Sequence, residues 1–429
     1  MLIFLLLIIE GLICFVLRDI LPESEKLSLI IIIINSIFIM AYLSTKIKEK
    51  GYYKLIVLGY ILRLFALLWD IYGRSIYYLP HSGSDTEGFY AQGMLIASNL
   101  ELFGTLSMGA YANLLGLFFY LFGDQRILAQ FLNTLVGLGI LVAVFKILNL
   151  LEIEERIKKI ILVLITFFPQ AIIFSGILLR ENLVSFGTIM MTYYLIKWYK
   201  KPSFQNVILS FVFLLVAVYF HSGVVGAFIP LAFMFAFYKH NTRSFKIDIK
   251  APFLLGVFLV IVIYSSIMYG DVIFNKFGNA DLTSEEFYQS MGADVEAGSQ
   301  YLQGLTYNSF YDVLLYSPLK MFYFLYSPVP LDWRGMMDII TFFLDSLVYF
   351  IISIYVLRYS KSLTKDKPLV IILLLLLIIV IFTFAYGTIA AGTAVRHRNK
   401  FLAILLVIWA IVMDRNNKKK LVNQRLQTV

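Results

Sequence analysis

Leu27 to Leu43 reads LSLIIIIINSIFIMAYL and contains no charged residue. A helix needs roughly 17 to 25 mostly apolar residues to cross a hydrocarbon core of about 30 Å, so this stretch predicts a transmembrane helix. Comparable runs recur along the chain, among them Leu2 to Leu17, Leu55 to Tyr72 and Val370 to Phe384. Because a spanning segment must satisfy its own backbone hydrogen bonds, the runs predict an all-α fold.

The composition excludes an ordinary soluble domain. The chain has 429 residues, of which 60% are hydrophobic and 15% charged, and its mean hydropathy is +0.83. Leu2 to Leu17 lacks a basic leader and a small-residue cleavage site, which favours a retained first span over a signal peptide. The single cysteine, Cys14, excludes a disulfide framework and a cysteine-based metal site.

The net charge of +9 does not indicate a nucleic-acid partner, because the basic residues lie mostly in short loops between apolar runs. Residues 44–54, 239–250 and 357–369 form net basic loops, which we expect in the cytoplasm, whereas 270–316 is acidic and is expected outside. The sequence contains no Walker loop, Rossmann glycine set or nucleophile elbow.

This charge pattern predicts a polytopic transmembrane helix bundle of about twelve spans, with both termini in the cytoplasm. We expect the membrane to be a bacterial plasma membrane, as the resemblances described below imply. Residues 1–429 then form one integral membrane domain. Two large outer loops are expected, at 73–126 and 270–334. We expect interfacial or re-entrant helices on the outer face, at Phe103 to Phe122 and over Ser317 to Arg334.

The segment Pro80 to Gln92 brings two carboxylates, Asp85 and Glu87, to the predicted outer face. One carboxylate can take a proton from an attacking hydroxyl while the other positions substrate, and the pair is a candidate site for a divalent cation. Apart from that cation, no cofactor is expected. The two residues share a face if the segment is extended and not if it is helical. The alternative is a solvated loop in which Asp85 caps a helix beginning at Thr86.

Several polar residues at outward turns are candidates for binding an anionic substrate. Arginine forks suit phosphate oxygens, and basic clusters are disfavoured outside unless they have a function. Pairing with lipid headgroups or with acidic loops is the alternative. The candidates are Arg180, Glu181, His221, Arg396, His397, Arg398 and Lys400.

Two other features complete the predicted site. Tyrosines in the second outer loop suit stacking on sugar rings, although such polar loops are also common without a ligand. They are Tyr288, Tyr301, Tyr307 and Tyr311. Arg63, in the third predicted span, is expected to have a structural role.

The stretch Ser84-Asp85-Thr86-Glu87-Gly88-Phe89-Tyr90, followed by Tyr111 to Asp124, Leu128 to Leu148 and then Ser175 to Glu181, resembles the family 39-like group of GT-C membrane glycosyltransferases over about residues 80 to 190. The resemblance implies that Asp85 is the base that activates an acceptor hydroxyl. It also implies inversion at the sugar carbon and a polyprenyl-linked sugar as donor.

The second half of the chain resembles Wzy-type polysaccharide polymerases, through its predicted outer-face arginines and large outer loop. That resemblance implies that Arg180, Arg396 and Arg398 hold a lipid pyrophosphate. Both resemblances imply that membrane lipid and other polysaccharide-assembly proteins are partners of the chain. A transporter or flippase of lipid-linked oligosaccharides is the alternative of another class, although it should carry more polar groups along its spans and an internal repeat.

Overall fold

The computed structural model of the chain describes residues 2–246, 299–361, 363 and 366–427. The structure is 79% helical, which confirms the all-α prediction. The helices of the first half are α1 Leu2–Val16, α2 Glu25–Lys46, α3 Lys50–Tyr72, α4 Ser84–Ser98, α5 Ala110–Phe122, α6 Arg126–Leu150, α7 Glu155–Phe167, α8 Pro169–Gly176 and α9 Glu181–Lys200.

The helices of the second half are α10 Phe204–Phe220, α11 Phe228–Phe237, α12 Phe310–Tyr326, α13 Met336–Thr341, α14 Leu347–Ser360, α15 Lys367–Tyr386, α16 Ala391–Arg398 and α17 Leu402–Gln427. A π-helical segment, Phe342–Ser346, joins α13 to α14. The strands β1 Tyr238–Lys239 and β2 Ser244–Phe245 form a short antiparallel pair.

Within the residues that the structure describes, five helices are long and apolar enough to cross a membrane, which supports an integral membrane protein. They are α2, α3, α6, α15 and the continuous stretch Met336–Ser360. A sixth span results if α7 and α8, which are bent by 48° at their junction, are counted as one.

The prediction of about twelve spans is not confirmed over the described residues. Several predicted spans are short helices of 10–17 residues, such as Phe204–Phe220. At 1.5 Å per residue such helices do not cover a 30 Å core when upright. The predicted span Phe253 to Tyr269, most of the acidic loop that follows it and Tyr288 lie outside the described residues.

One compact unit consists of residues 1–146 and 158–186. In it α3 packs closely against α8, because Gly176 has no side chain: a Cβ there would lie 2.6 Å from the backbone nitrogen of Leu67. Arg63 is buried in this unit and donates hydrogen bonds to the carbonyl oxygens of Gly59 and Ile165, at 2.8 and 3.3 Å. These backbone contacts agree with the structural role predicted for Arg63.

The second compact unit consists of residues 147–157 and 187–429. Helix α15 packs against α12, and α14 packs against α17. Buried ion pairs and hydrogen bonds join α17 to neighbouring residues of this unit. Arg415 Nη2 lies 2.8 Å from Asp366 Oδ2, and Asp414 Oδ1 accepts a hydrogen bond from the backbone N–H of Glu154 at 2.8 Å.

Candidate functional site

Helix α4 carries both predicted catalytic carboxylates in its first turn. Gly83 precedes the helix with φ +116°, a conformation that favours glycine, and its N–H donates to Thr86 Oγ1 at 2.9 Å. The helix therefore begins at Ser84 with Gly83 as its N-cap, which contradicts the alternative in which Asp85 caps a helix beginning at Thr86. Because residues two apart on a helix point in different directions, Asp85 and Glu87 lie on different faces of α4.

The Glu87 face of α4 meets two arginines. Arg126 makes a bidentate contact with the Glu87 carboxylate: Nη1 donates to Oε2 at 2.7 Å and Nη2 donates to Oε1 at 2.6 Å. Arg74 Nη1 donates to Oε1 at 2.6 Å. The Arg126 guanidinium also lies over the ring of Tyr90, 5.0 Å from its centroid. Since both Glu87 oxygens accept from guanidinium groups, the Asp85 and Glu87 pair does not fit a shared divalent cation.

Asp70, in the last turn of α3, is the second carboxylate that pairs with Arg74. It is fully buried, and Arg74 holds it through Nε to Oδ1 at 3.2 Å and Nη2 to Oδ2 at 2.9 Å. Ser82 Oγ donates to Oδ1 at 2.5 Å and Gln130 Nε2 to Oδ2 at 2.7 Å. We call Asp70, Arg74, Glu87 and Arg126 the charged cluster. Its two carboxylates and two guanidinium groups have formal charges that sum to zero.

A cavity of about 360 Å³ adjoins the charged cluster. Its volume is in the range of small-molecule sites, roughly 300 to 1,000 Å³. Tyr90, whose hydroxyl donates to Asp124 at 2.7 Å, forms part of the wall. The lining residues are Pro22, Glu25, Asp70, Ile71, Arg74, Tyr90, Asp124, Gln125, Arg126 and Ile127. The cavity thus offers two guanidinium groups, carboxylates and an aromatic ring to a ligand.

The hydrogen bonds that Glu87 accepts determine its protonation state. The hydrogen bonds from Arg126, and then those from Arg74, lower the pKa of Glu87 to about 2. A carboxylate with so low a pKa is fully ionised at neutral pH and is a weak proton acceptor. Glu87 therefore suits holding the two arginines in place and does not suit the role of general base.

The lowered pKa of Glu87 predicts a pH-dependent contribution to stability. The ionised form is favoured in the folded protein, so the contribution is fully present above the unfolded pKa near 4.5 and is lost as pH falls toward 2. At pH 7 we expect the Glu87→Gln variant to be less stable than the parent by about 1 kcal/mol, the size appropriate to a half-exposed pair. Thermal unfolding in detergent between pH 3 and 7 should show the gap closing on acidification; a gap that widens contradicts the prediction.

The other face of α4 turns toward Arg180. The guanidinium of Arg180 lies 5.8 Å from the ring centroid of Phe89. Phe89 follows Asp85 by four residues, and residues at that spacing share a helix face. Arg180 therefore lies on the Asp85 side of α4. Its neighbour Glu181 begins α9 and is fully buried.

The predicted substrate-binding residues of the second unit fall into two groups. His221 and His397 have ring centroids 5.0 Å apart, and Lys400 Nζ lies 2.7 Å from His397 Nδ1. An ammonium group only donates, so Nδ1 is the acceptor in this contact. The Lys400 Nζ also lies 4.9 Å from the ring centroid of Phe384. His221, His397 and Lys400 are thus brought together.

Arg398 belongs to a structural contact. It is 1% exposed and ion-paired with Asp345 of the π-helical segment, with 2.6 Å from Nε to Oδ1. Its other nitrogens donate to Ser327 O at 2.6 Å and Ser346 Oγ at 2.9 Å. Arg396 is half-buried. The expected exposed cationic loop is instead the largely buried end of α16, because its basic side chains point into packed helices.

The sequence reading missed Asp70, Arg74, Arg126 and Gln130. A signal was present in the sequence: Asp70 interrupts the apolar run Leu55 to Tyr72, and Arg74 follows it at the helical spacing of four. Among the described residues, no group of three or more His, Cys, Asp or Glu side chains is placed to hold a metal ion.

Comparison of the chain with protein-family models, with curated proteins and with solved structures gives no match in any of the three.

Proposed function

We propose that the chain is an integral membrane glycosyltransferase that transfers a sugar from a polyprenyl-linked donor, in the assembly of cell-surface polysaccharide or glycoconjugate. The charged cluster beside its cavity is the observation that carries the proposal. It combines two guanidinium groups, which suit phosphate oxygens, with carboxylates in a cavity of a size that suits a small molecule.

The position of the charged cluster favours a lipid-linked substrate. Asp70 lies in the last turn of α3 and Arg126 is the first residue of α6, and both helices have the length and hydropathy of membrane spans. The phosphate of a membrane-anchored carrier lies at the level of the ends of such helices, since the headgroup region begins there. Arg74 and Arg126 supply fork-shaped donors for phosphate oxygens.

In the proposed reaction, Asp85 is the base and the charged cluster holds the carrier phosphate. Asp85 and Glu87 lie on different faces of α4 but both in its first turn, so the substrate is proposed to lie across the amino-terminal end of this helix, with its phosphate in the cavity and the acceptor hydroxyl on the Asp85 side. The acceptor hydroxyl oxygen attacks the anomeric carbon, its proton passes to the Asp85 carboxylate, and the bond from that carbon to the phosphate oxygen breaks with inversion. The leaving phosphate keeps the bonding electron pair, and the two guanidinium groups stabilise its charge. Arg180, on the Asp85 face of α4, is proposed to orient the donor.

The remaining parts of the proposal concern topology and partners. We propose a GT-C-like bundle of about twelve spans in a bacterial plasma membrane, with both termini cytoplasmic and the cluster at the outer face. The partners are then a polyprenyl-linked sugar or oligosaccharide, membrane lipid and other polysaccharide-assembly proteins.

The Arg126→Ala variant tests the role of the charged cluster. Loss of a charge-assisted contact to phosphate is worth roughly 1.5 to 3 kcal/mol, so transfer from a polyprenyl-pyrophosphate-linked saccharide in proteoliposomes should fall about 10- to 100-fold. Arg18→Ala is the matched control, because Arg18 lies in the same unit and pairs with Asp19 at the surface. Equal transfer by the parent and Arg126→Ala contradicts the proposed site.

A second candidate function is a Wzy-type polymerase, and the grouping of His221, His397 and Lys400 favours it. Two imidazoles and an ammonium group held close together, with His221 half-buried and the other two buried, suit a pyrophosphate. The same assay separates the possibilities: a ladder of repeat units indicates a polymerase, and a single added sugar indicates simple transfer. Movement of unmodified lipid-linked saccharide across the vesicle membrane indicates the flippase alternative.

A further inference from the structure

A buried lysine in the second unit has no anionic partner in the described part of the chain. Lys320, on α12, is only 4% exposed. Its Nζ atom lies 5.7 Å from the ring centroid of Tyr307 and 5.8 Å from that of Tyr386. Aromatic faces offset part of the cost of burying a cation, but they accept none of the strong hydrogen bonds that an ammonium group donates.

A second donor beside Lys320 is also unsatisfied. Tyr307 is fully buried, and its hydroxyl has no hydrogen-bond partner in the described part of the chain. Tyr386 differs, because its hydroxyl donates to the carbonyl oxygen of Val313. Buried polar groups without partners are rare and costly. Among the described residues, Lys320 and Tyr307 are thus two donors that lack an acceptor.

The geometry points to an anion-binding site at Lys320 and Tyr307, walled by Tyr386, that takes a carboxylate or a phosphate group. An anion of this kind supplies the acceptor oxygens and the negative charge that both donors lack. Such an anion is carried by acidic saccharides, by free phosphate and by lipid headgroups. The site is independent of the glycosyltransferase proposal, since none of its residues belongs to the charged cluster.

The electrostatics of Lys320 agree with an anion-binding site. Burial lowers the pKa of Lys320 to about 8. The ammonium form therefore still predominates at pH 7, which leaves a buried positive charge available to a ligand.

The test measures thermal unfolding of the full chain in neutral detergent with inorganic phosphate, with glucuronate, or with chloride at equal ionic strength. Phosphatidylglycerol bicelles and phosphatidylcholine bicelles form the lipid arm. We expect at least one anion to raise the unfolding midpoint of the parent by about 2 °C over its neutral or chloride control. A rise with the soluble anions identifies a soluble source, and a rise with phosphatidylglycerol alone identifies a lipid headgroup.

The variants assign the effect to Lys320. The rise should vanish in Lys320→Met, shrink in Tyr307→Phe, and persist in Lys361→Met, in which an exposed lysine is replaced. If Lys320→Met does not fold, amine labelling of the parent decides: the effective anion should slow modification of Lys320 about tenfold at ten times its Kd. The inference is overturned if no anion exceeds its control, if Lys320→Met keeps the rise, or if labelling is not slowed.

Discussion

Replacement of Asp85 by Asn is expected to lower the rate of glycan transfer by about 10²- to 10⁴-fold, the usual contribution of a general base. Asparagine keeps the size of the side chain and the helical first turn of α4, but it does not accept the proton of the acceptor hydroxyl. The measurement is transfer from a polyprenyl-linked donor by proteoliposomes. Because the base acts in the transition state, the fall should be in kcat, with KM for the donor little changed.

The controls for Asp85→Asn come from the same unit. Glu101→Gln removes an exposed carboxylate outside the charged cluster and should leave transfer unchanged. Glu87→Gln should raise KM for the donor more than it lowers kcat, since Glu87 orients Arg74 and Arg126. Full activity of Asp85→Asn would remove Asp85 from the mechanism and leave the polymerase, which needs no dedicated carboxylate base.

The helical character of the chain was predictable because it depends on local sequence. Apolar runs of sufficient length define α2, α3 and α15. The number of spans was less predictable. Helix lengths were also less predictable: the interfacial helix expected over Phe103 to Phe122 covers only Ala110–Phe122 in the structure. Glycines and backbone turns shorten such segments without lowering their hydropathy.

The candidate site was predictable only in part, because its ion pairs join distant residues. Glu87 and Arg126 are separated by 39 positions, and Arg398 and Asp345 by 53. Asp85 and Glu87 form a polar break between apolar runs, and that signal is local. The packing of α3, α4 and α6 determines which of the two carboxylates pairs with arginines. The spacing of residues in the sequence does not reveal this.

The Arg398→Ala variant is expected to lower the free energy of unfolding by about 3 to 5 kcal/mol, since it leaves the Asp345 carboxylate buried without its partner. The guanidinium of Arg398 donates its hydrogen bonds to Asp345, Ser327 O and Ser346 Oγ. Denaturant-induced unfolding in bicelles should show the loss, whereas Arg358→Ala, on the exposed side of α14, should change stability by less than about 0.5 kcal/mol.

The double variant Asp345→Leu with Arg398→Met separates a structural role from a substrate-binding role. Replacing both members of a buried pair by apolar residues is often neutral, so the double variant should recover most of the stability lost by Arg398→Ala. If Arg398 only positions α16, glycan transfer should recover together with stability. Stability that recovers while transfer does not would instead place Arg398 in contact with the carrier pyrophosphate, beside His397 and Lys400, and would favour the polymerase.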